Sequence, residues 1–255
     1  MGAIRALPLV VVAALVVLGL GAPVGAEESV VTDDLREDAV SDPLERVNRG
    51  IFWFNDQADV YVLEPAARGW DRILPDRVQN SIANFFLNVR FPVHLANNLL
   101  QGKVDGAATA TARFAVNTTV GVLGLFDPAT DWGLEDQPED FGQTLGWWGT
   151  PPGPYLVLPL LGPSNVRDGV GLVADTIFSI APFFLDRYVL LGANALNTVN
   201  IRSLFLDEVR GAKEAALDYY VFVRHAYAQR RVALIHDTTE LSLEDDLYDL
   251  EQYEE

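Results

Sequence analysis

The sequence contains no cysteine, and this absence excludes three roles at once. Without thiols the chain has no disulfide scaffold, no thiol nucleophile and no cysteine to which a lipid could be attached. Basic residues are also scarce, since 18 lysines and arginines stand against 36 aspartates and glutamates and leave a formal net charge of -18. This charge argues against nucleic acid as a partner and against unassisted adsorption to an anionic membrane surface.

Charge is almost missing from residues 1–26, where Arg5 is the single charged side chain. An apolar run followed by small residues predicts a secretory signal peptide that is cleaved after Ala26. The alternative is an uncleaved anchor, because about nineteen apolar residues are just enough to cross a bilayer. Residues 27–41 are polar, acidic and aperiodic, which predicts a flexible leader. Residues 239–255 form an acidic tail that we expect to be exposed, with disorder as one interpretation.

A long stretch without any charge, Phe141–Val166, lies in the middle of this acidic chain. It is apolar enough for a membrane, but its five prolines forbid an ordinary spanning helix because each removes a backbone donor. Irregular backbone at bilayer depth is tolerated only when it is buried in protein or lines a wet cavity. The segment is therefore either a buried connection between helices or an irregular part of a membrane-embedded protein.

Strict alternation of apolar and polar residues is absent, so we expect few strands and a mainly α-helical fold. Asp42-Pro43 predicts the start of a helix with a continuous apolar stripe. This pattern favours a helix in the protein core, and a helix lying in the membrane interface is the alternative. The stripe consists of Leu44, Val47, Ile51, Phe54, Ala58 and Tyr61. Later helices are predicted over Asp76–Asn88, Val93–Gly102, Val104–Val122, Asp168–Phe184 and Arg202–His236, the last with a break near Gly211, and Arg187–Asn200 is predicted to be a short, punctuated segment.

No enzyme chemistry can be recognised in the sequence. The three histidines, His94, His225 and His236, lack metal-ligand spacing and are interpreted as structural or surface residues. No nucleophile elbow is present, and no phosphate-binding loop either. The acidic residues of the region 127–140 do not have the spacing of a twelve-residue Ca²⁺ loop, so a solvated acidic loop is the preferred interpretation. We therefore expect no catalytic residues, no cofactor and no metal.

An ordered series of short motifs resembles the MlaA/VacJ family of outer-membrane lipoproteins that maintain lipid asymmetry. The resemblance covers residues 41–255. The motifs are, in chain order, Asp42-Pro43-Leu44-Glu45, Asn48-Arg49, Phe54-Asn55, Asn84-Phe85-Phe86, Asn97, Leu100-Gln101-Gly102, Arg113, Asn117-Thr118, Gly121 to Asp127, Asp140-Phe141-Gly142-Gln143-Thr144-Leu145-Gly146, Gly153-Pro154-Tyr155, Leu158-Pro159, Gly162-Pro163, Arg167-Asp168, Arg224, Ala226-Tyr227 and Gln229-Arg230.

The resemblance implies a helical domain over residues 42–238, in which amphipathic helices form a ring embedded in the inner leaflet of the outer membrane, with Pro/Gly-rich irregular segments. It implies a channel that takes phospholipid mislocalised to the outer leaflet and passes it to a periplasmic carrier similar to MlaC, often beside a trimeric porin. One departure concerns the lipobox cysteine of the family, which this sequence lacks. Attachment must then rest on embedded helices, on a partner or on an uncleaved signal.

Two sets of residues follow as hypotheses from this resemblance. A lipid-facing belt would relieve the cost of exposing apolar side chains, and a polar path would replace the water around a crossing headgroup. The predicted belt comprises Ile51, Phe52, Trp53, Phe54, Phe85, Phe86, Trp147 and Trp148, and the predicted headgroup path comprises Asn48, Arg49, Asn55, Asn84, Asn117, Arg167 and Asp168. A second function of a different class is a non-transporting adaptor that binds porin or other envelope components.

Overall fold

The computed structural model describes residues 40–179 and 181–237. The predicted signal peptide with its cleavage site at Ala26, residues 27–39 of the predicted leader and the acidic tail lie outside the described residues. The predicted mainly helical fold is confirmed. The elements are α1 Glu45–Ala58, a π-helical segment Asp59–Leu63, α2 Glu64–Ile73, α3 Asp76–Val89, α4 Phe91–Gln101, α5 Val104–Thr119, α6 Pro128–Asp131, α7 Phe141–Trp147, β1 Tyr155–Leu158, β2 Gly162–Asn165, α8 Val166–Phe178, α9 Ala181–Phe184, α10 Arg187–Leu204, α11 Leu206–Ala215 and α12 Tyr219–His236.

The contacts between elements follow a closed circuit. Starting from α1, contacts run through β1, β2, α12, α7, α4, α3, α10 and α2, and return to α1 through the π-helical segment. A ring-like arrangement, which the family resemblance implies, requires such a closed circuit of contacts. Within the described ranges, no helix is both long enough and apolar enough to cross a bilayer.

The uncharged segment Phe141–Val166 is more regular than predicted. It begins with α7, whose N-cap Asp140 accepts a hydrogen bond from the Gln143 backbone N–H at 2.8 Å. It ends with β1 and β2, an antiparallel pair in which Tyr155 faces Asn165 and Leu158 faces Gly162. Its prolines fall in the connection between α7 and β1, in the turn of the hairpin and on β2, so the interpretation as wholly irregular backbone is wrong.

Three helix predictions differ from the structure. The predicted short segment at Arg187–Asn200 belongs to the 18-residue helix α10. The predicted helix Arg202–His236 is broken at Phe205 and again at residues 216–218, and not near Gly211. The predicted helix Asp168–Phe184 is divided into α8 and α9, since α8 ends at Phe178. In the last two cases helix propensity was correctly recognised and the positions of the breaks were not, because tertiary context overrides local propensity.

The helices hide polar side chains and expose apolar ones. Among the described residues, buried polar or charged side chains outnumber buried apolar ones. Helix α4 shows this most clearly, because His94, Asn97 and Gln101 are buried while Leu99 and Leu100 are exposed. The only described buried hydrophobic cluster is small and centres on aromatic residues of β1 and α12. This distribution is the reverse of that of an ordinary water-soluble domain.

The predicted core position of α1 is therefore wrong. Of its apolar stripe, Leu44, Val47, Phe54 and Tyr61 are exposed, and the one buried residue of α1 is Asn48. Most of the stripe faces away from the protein, while Ile51 and the Asn48 amide form the inner contacts.

Candidate functional site

The predicted headgroup-path residues occupy three separate places. Asn48 and Asn55 lie two turns apart on α1 and bind the hairpin. Asn48 donates to the Tyr155 carbonyl oxygen at 3.0 Å and accepts the Val157 backbone N–H at 3.0 Å. Asn55 donates to the Leu158 carbonyl oxygen at 2.9 Å. Their side chains form hydrogen bonds with backbone groups of β1 and of the turn that follows it. These bonds satisfy groups that would otherwise pair with the backbone of a third strand.

Arg49 lies beside this contact and points toward solvent. Its guanidinium forms ion pairs with Glu45 at 2.7 Å and with Asp218 at 2.9 Å. The same group lies 4.4 Å from the centre of the Tyr220 ring, which is a cation–π distance. Arg49 thus connects α1 to the start of α12.

Arg167 and Asp168 belong to a second place, the buried junction of α7, α8 and α12. The Arg167 Nε atom lies 2.9 Å from Asp168 Oδ1, and Arg231 of α12 donates to the same oxygen at 3.1 Å. Arg231 also binds Asp140 through both Nη atoms. Burial by itself would raise the pKa of Asp140, but the hydrogen bonds and charge of Arg231 hold it well below its usual range.

Glycines allow these three elements to approach one another. A Cβ atom on Gly171 of α8 would lie 2.4 Å from the Gly142 backbone nitrogen of α7. A Cβ atom on Gly142 would lie 2.6 Å from Asp168 Oδ1. The Gly-rich motif of the uncharged segment is therefore a close-packing device around an ion-pair network.

Asn84 and Asn117 define the third place, a groove that the structure forms between α3, α4 and α5. It is open at its mouth and leaves about 50 Å³ for the centres of water-sized molecules. Its wall is partly apolar and partly polar, and it is formed by Asn84, Leu87, Asn88, Phe91, His94, Ala110, Arg113, Phe114, Asn117, Asp127 and Asp136. Phe91 and Phe114 stack in it with ring centres 4.2 Å apart.

Arg113 organises the polar side of the groove. Its Nη2 atom lies 2.9 Å from Asp127 Oδ2, and its Nε atom lies 3.5 Å from Asp136 Oδ1. Asn117 donates to Asp127 Oδ1 at 2.8 Å and accepts the Ala129 backbone N–H at 3.1 Å. Burial would raise the pKa of Asp127, yet hydrogen bonds from Thr130 and Asn117 and the charge of Arg113 lower it. Partial desolvation raises the pKa of Asp136, although 45% of its side chain is exposed.

The acidic loop is solvated in part, since Asp131 and Asp136 are exposed while Asp127 and Asp140 are half-buried. Asp127 and Asp136 are held by Arg113, and Asp140 by Arg231. Within the described ranges, no group of three or more histidine or carboxylate side chains is arranged to hold a metal ion.

The predicted belt residues divide into two groups. Trp53 is 64% exposed, and the exposed group also includes Phe54, Phe85, Trp147 and Trp148. Ile51 and Phe52 are half-buried and pack against the aromatic cluster of β1 and α12, and Phe86 is half-buried beside Phe85. Exposed apolar side chains that the sequence analysis did not single out include Ile177, Phe183 and Phe184 around α8 and α9.

His94 and Arg113 are among the groove residues that were not predicted as site residues. The sequence predicts a structural or surface position for His94 and gives no role to Arg113. The signal that was available is the pattern of α4, where polar residues at His94, Asn97 and Gln101 recur at helical spacing between apolar ones. In a water-soluble protein such a polar stripe faces water, and it faces inward only when lipid covers the apolar side of the helix.

A family comparison agrees with this architecture. Residues 40–234 match the model of the family described as MlaA lipoprotein. The chain belongs to the MlaA lipoprotein family. Several of the motifs that suggested this membership, among them Asn48-Arg49, Arg113, Asn117-Thr118 and Arg167-Asp168, contribute residues to the three places described above.

Named relatives and a solved structure give the same family. The intermembrane phospholipid transport system lipoprotein MlaA of Escherichia coli strain K12 is 34% identical over 197 residues, which cover 74% of this chain and 76% of the relative. The protein of that name from Haemophilus influenzae is 31% identical and the match covers 77% and 80% of the two chains. A Rickettsia felis protein of uncharacterised function is 36% identical over 77% of this chain and 78% of its own length.

The solved structure concerns the structural basis for maintenance of bacterial outer membrane lipid asymmetry. It superposes on this chain with a TM-score of 0.69 at 34% identity, covering 76% of this chain and 99% of that one. The MlaA fold therefore extends over most of the described residues.

Proposed function

We propose that this chain is an outer-membrane channel that takes phospholipid from the outer leaflet and passes it to a soluble periplasmic lipid carrier. The observation that carries the proposal is the reversed distribution of side chains, with apolar groups outside and amides and ion pairs inside. A water-soluble protein with such a surface would be unstable or would aggregate, whereas a protein surrounded by lipid would not. The names of the relatives, which assign them to an intermembrane phospholipid transport system, support the same role.

The groove between α3, α4 and α5 suits one part of this task. A phospholipid headgroup loses its water when it leaves the membrane surface, and this loss is costly unless polar groups replace the water. The groove offers polar side chains and, interspersed with them on the same three helices, the apolar side chains of Leu87, Phe91 and Phe114. A headgroup and the adjoining acyl chains both find suitable partners there.

Embedding in the inner leaflet is part of the proposal. The exposed tryptophans Trp53, Trp147 and Trp148 are of the type that favours the interfacial region of a bilayer. No cysteine is present for a thioether-linked lipid, so the exposed apolar side chains would provide the attachment. High salt should then leave the protein in the outer-membrane fraction, and detergent should release it.

The deciding experiment measures outer-leaflet phospholipid in a strain from which the gene is deleted. Phospholipid accessible to an added phospholipase on intact cells should rise in the deletion strain and return to its original level when the wild-type gene is supplied. An unchanged level would refute the transport role and leave the non-transporting adaptor, which co-purification with a trimeric porin would then support. Transfer of labelled phospholipid from vesicles containing the protein to a soluble acceptor is the matching test in vitro.

A further inference from the structure

His94 is a buried histidine on the wall of the groove, and one of its ring nitrogens has a defined partner. The residue is 8% exposed, and its Nδ1 atom accepts the Glu139 backbone N–H at 3.1 Å. A backbone N–H can only donate, so Nδ1 carries the lone pair and the proton of the neutral ring lies on Nε2. Burial, reinforced by the charge of Arg90, lowers the pKa of His94 to about 3, in agreement with a neutral ring.

The Nε2–H group is left without a partner. The atom is buried and makes no hydrogen bond with any described part of the chain. A buried donor without an acceptor is unfavourable, and such groups in native proteins usually have a ligand or an ordered water to satisfy them. The groove that His94 lines is the place from which an acceptor would come.

The remaining polar groups of the groove define what that acceptor is. The Arg113 guanidinium is already engaged by Asp127, Asp136 and Thr130, and Asn88 donates to Thr118 Oγ1 at 3.0 Å. Asn84, on the same wall, makes no hydrogen bond through its side chain within the described ranges. The groove therefore offers two unused neutral donors, the His94 ring and the Asn84 amide.

Neutral donors beside apolar side chains fit the phosphodiester of a lipid better than a free anion. Leu87, Phe91 and Phe114 would contact the glycerol and the first acyl carbons. The two carboxylates that line the groove would repel a small dianion about twice as strongly as a singly charged phosphodiester. Arg90 lies one turn before His94, at the corner between α3 and α4, and forms no described ion pair. Its charge adds a favourable potential for one negative charge near His94.

We propose that the groove binds a phospholipid headgroup and that His94 Nε2–H donates to an oxygen of its phosphodiester, with Asn84 as the second donor. The proposal rests on the proposed function, because it assigns a headgroup subsite within the same transport path. It adds a residue, a donor atom and the part of the ligand that this atom recognises.

The test compares a phospholipid with one ligand that lacks its phosphocholine group and another that lacks its lipid part. The full chain is purified in a maltoside detergent, freed of lipid and titrated with a short-chain phosphatidylcholine, with diacylglycerol of the same chains and with inorganic phosphate. His94→Phe, which keeps a ring and removes the donor, should weaken the binding of phosphatidylcholine about tenfold, the effect of losing one good hydrogen bond. Its affinity for diacylglycerol should change less than twofold, and His94→Gln, which keeps an N–H donor, should recover most of the affinity. The matched control is His236→Phe at the exposed end of α12, which should change neither affinity.

Equal weakening of phosphatidylcholine and diacylglycerol would overturn the proposal, since it would reveal a packing role. Inorganic phosphate that binds as tightly as the lipid would overturn it as well, because the site would then belong to a free anion. If His94→Phe does not fold, the ¹⁵N resonance of His94 Nε2 in the wild-type protein decides, as it should shift with phosphatidylcholine and not with diacylglycerol. An unchanged resonance rejects the assignment.

Complementation of the deletion strain distinguishes this proposal from the proposed function. In the deletion strain, the His94→Phe gene should lower the raised level of outer-leaflet phospholipid less completely than the wild-type gene does at equal protein level. Full restoration by His94→Phe would reject the role of His94 and leave the transport function intact. A deletion strain with normal leaflets would reject the transport function, while the titrations would still decide whether His94 binds the phosphodiester.

Discussion

The Arg231 guanidinium and the Asp140 carboxylate form a two-point ion pair, with Nη1–Oδ2 and Nη2–Oδ1 distances of 2.6 and 2.9 Å. They are separated by 91 residues and connect the last helix, α12, to the first residue of the uncharged segment. Asp140 is also the N-cap of α7, so a single carboxylate fixes both the start of that helix and its position against α12. Asp168 of α8 is the second carboxylate on the same guanidinium.

Replacement of Arg231 by Met should strongly destabilise the protein. The change leaves the Asp140 carboxylate without its cation and Asp168 with Arg167 alone, and breaking a buried pair in this way costs about 3–5 kcal/mol. The free energy of unfolding, measured in detergent by circular dichroism and denaturant, would show the loss. Arg210→Met is the matched control, because Arg210 pairs with the exposed Asp207 on α11, and exposed pairs contribute about 0–1 kcal/mol. Similar losses in both variants would mean that the Arg231 network adds nothing beyond a surface ion pair.

Alanine at Gly171 should separate α7 from α8. The added methyl group would lie 2.4 Å from the Gly142 nitrogen and 2.7 Å from its Cα atom, and neither backbone atom can move away without shifting a helix. Overpacking of this kind costs about 1–3 kcal/mol. Gly211→Ala on α11 is the control, since nothing lies within 4 Å of its added Cβ, and there the better helix propensity of alanine should raise the melting temperature. A Gly171→Ala protein that melts at or above the wild-type temperature would contradict the described helix contact.

The seven predicted path residues should divide into two classes when they are mutated. Asn48→Ala removes two hydrogen bonds to the buried backbone of β1 and should lower stability by about 1–3 kcal/mol. Asn84→Ala removes a side chain that bonds to no described residue, so stability should be nearly unchanged while phospholipid transfer falls. Melting temperature and transfer rate measured on the same preparations distinguish the two outcomes. Asn84→Ala with a full transfer rate would remove Asn84 from the path.

Residue patterns predicted the helices well and their surroundings poorly. The apolar stripe of α1 was correctly recognised as helical, but a stripe does not say whether protein or lipid covers it. Asn48 and Asn55 on the same helix carried the missing information, because amides two turns apart on a buried face need backbone partners. Those partners are in a hairpin more than a hundred residues away, and only the tertiary structure shows them.

The candidate site was predictable only in part, for a similar reason. Asn84 and Asn117 were chosen from the sequence, and the structure brings them to one groove. Arg167 and Asp168 were chosen with them and lie instead at the junction of α7, α8 and α12. His94 was set aside because a lone histidine usually has a satisfied structural role, and its unpaired Nε2 atom depends on a hydrogen bond from Glu139, 45 residues away.

Brominated lipids should quench the tryptophans selectively. Trp53 is 64% exposed on α1, whereas Trp70 is half-buried and its Nε1–H donates to Asn200 Oδ1 at 3.0 Å. Single-tryptophan variants, which retain either Trp53 or Trp70 and none of the other tryptophans, would be reconstituted with phospholipid brominated near the headgroup. They should show strong quenching for Trp53 and weak quenching for Trp70. Bromine quenches only at short range, so the ratio reports which side of α1 the bilayer covers. Equal quenching of the two would count against the predicted belt.

The stability of the protein should depend on pH through Asp175, a carboxylate on α8. It accepts hydrogen bonds from Asn97 Nδ2 at 3.0 Å and from the Phe141 backbone nitrogen at 3.1 Å. Burial raises its pKa from 3.8 to about 6 despite these bonds. Between those two values the folded protein holds a proton that the unfolded chain has lost, so this group makes stability fall as the pH rises through the window and adds no slope above it.

Asp175→Asn removes that titration and keeps an oxygen that can accept the same hydrogen bonds. The melting temperature of Asp175→Asn relative to wild type should therefore increase as the pH rises from 4 to 6 and stay constant above pH 7. Taking the difference between the two proteins removes the titration of all other groups, because they are common to both. Asp207→Asn, at a side chain that is 89% exposed on α11, is the control and should shift the melting temperature little. A constant difference for Asp175→Asn across the whole range would show that its carboxylate titrates alike in the folded and unfolded chains.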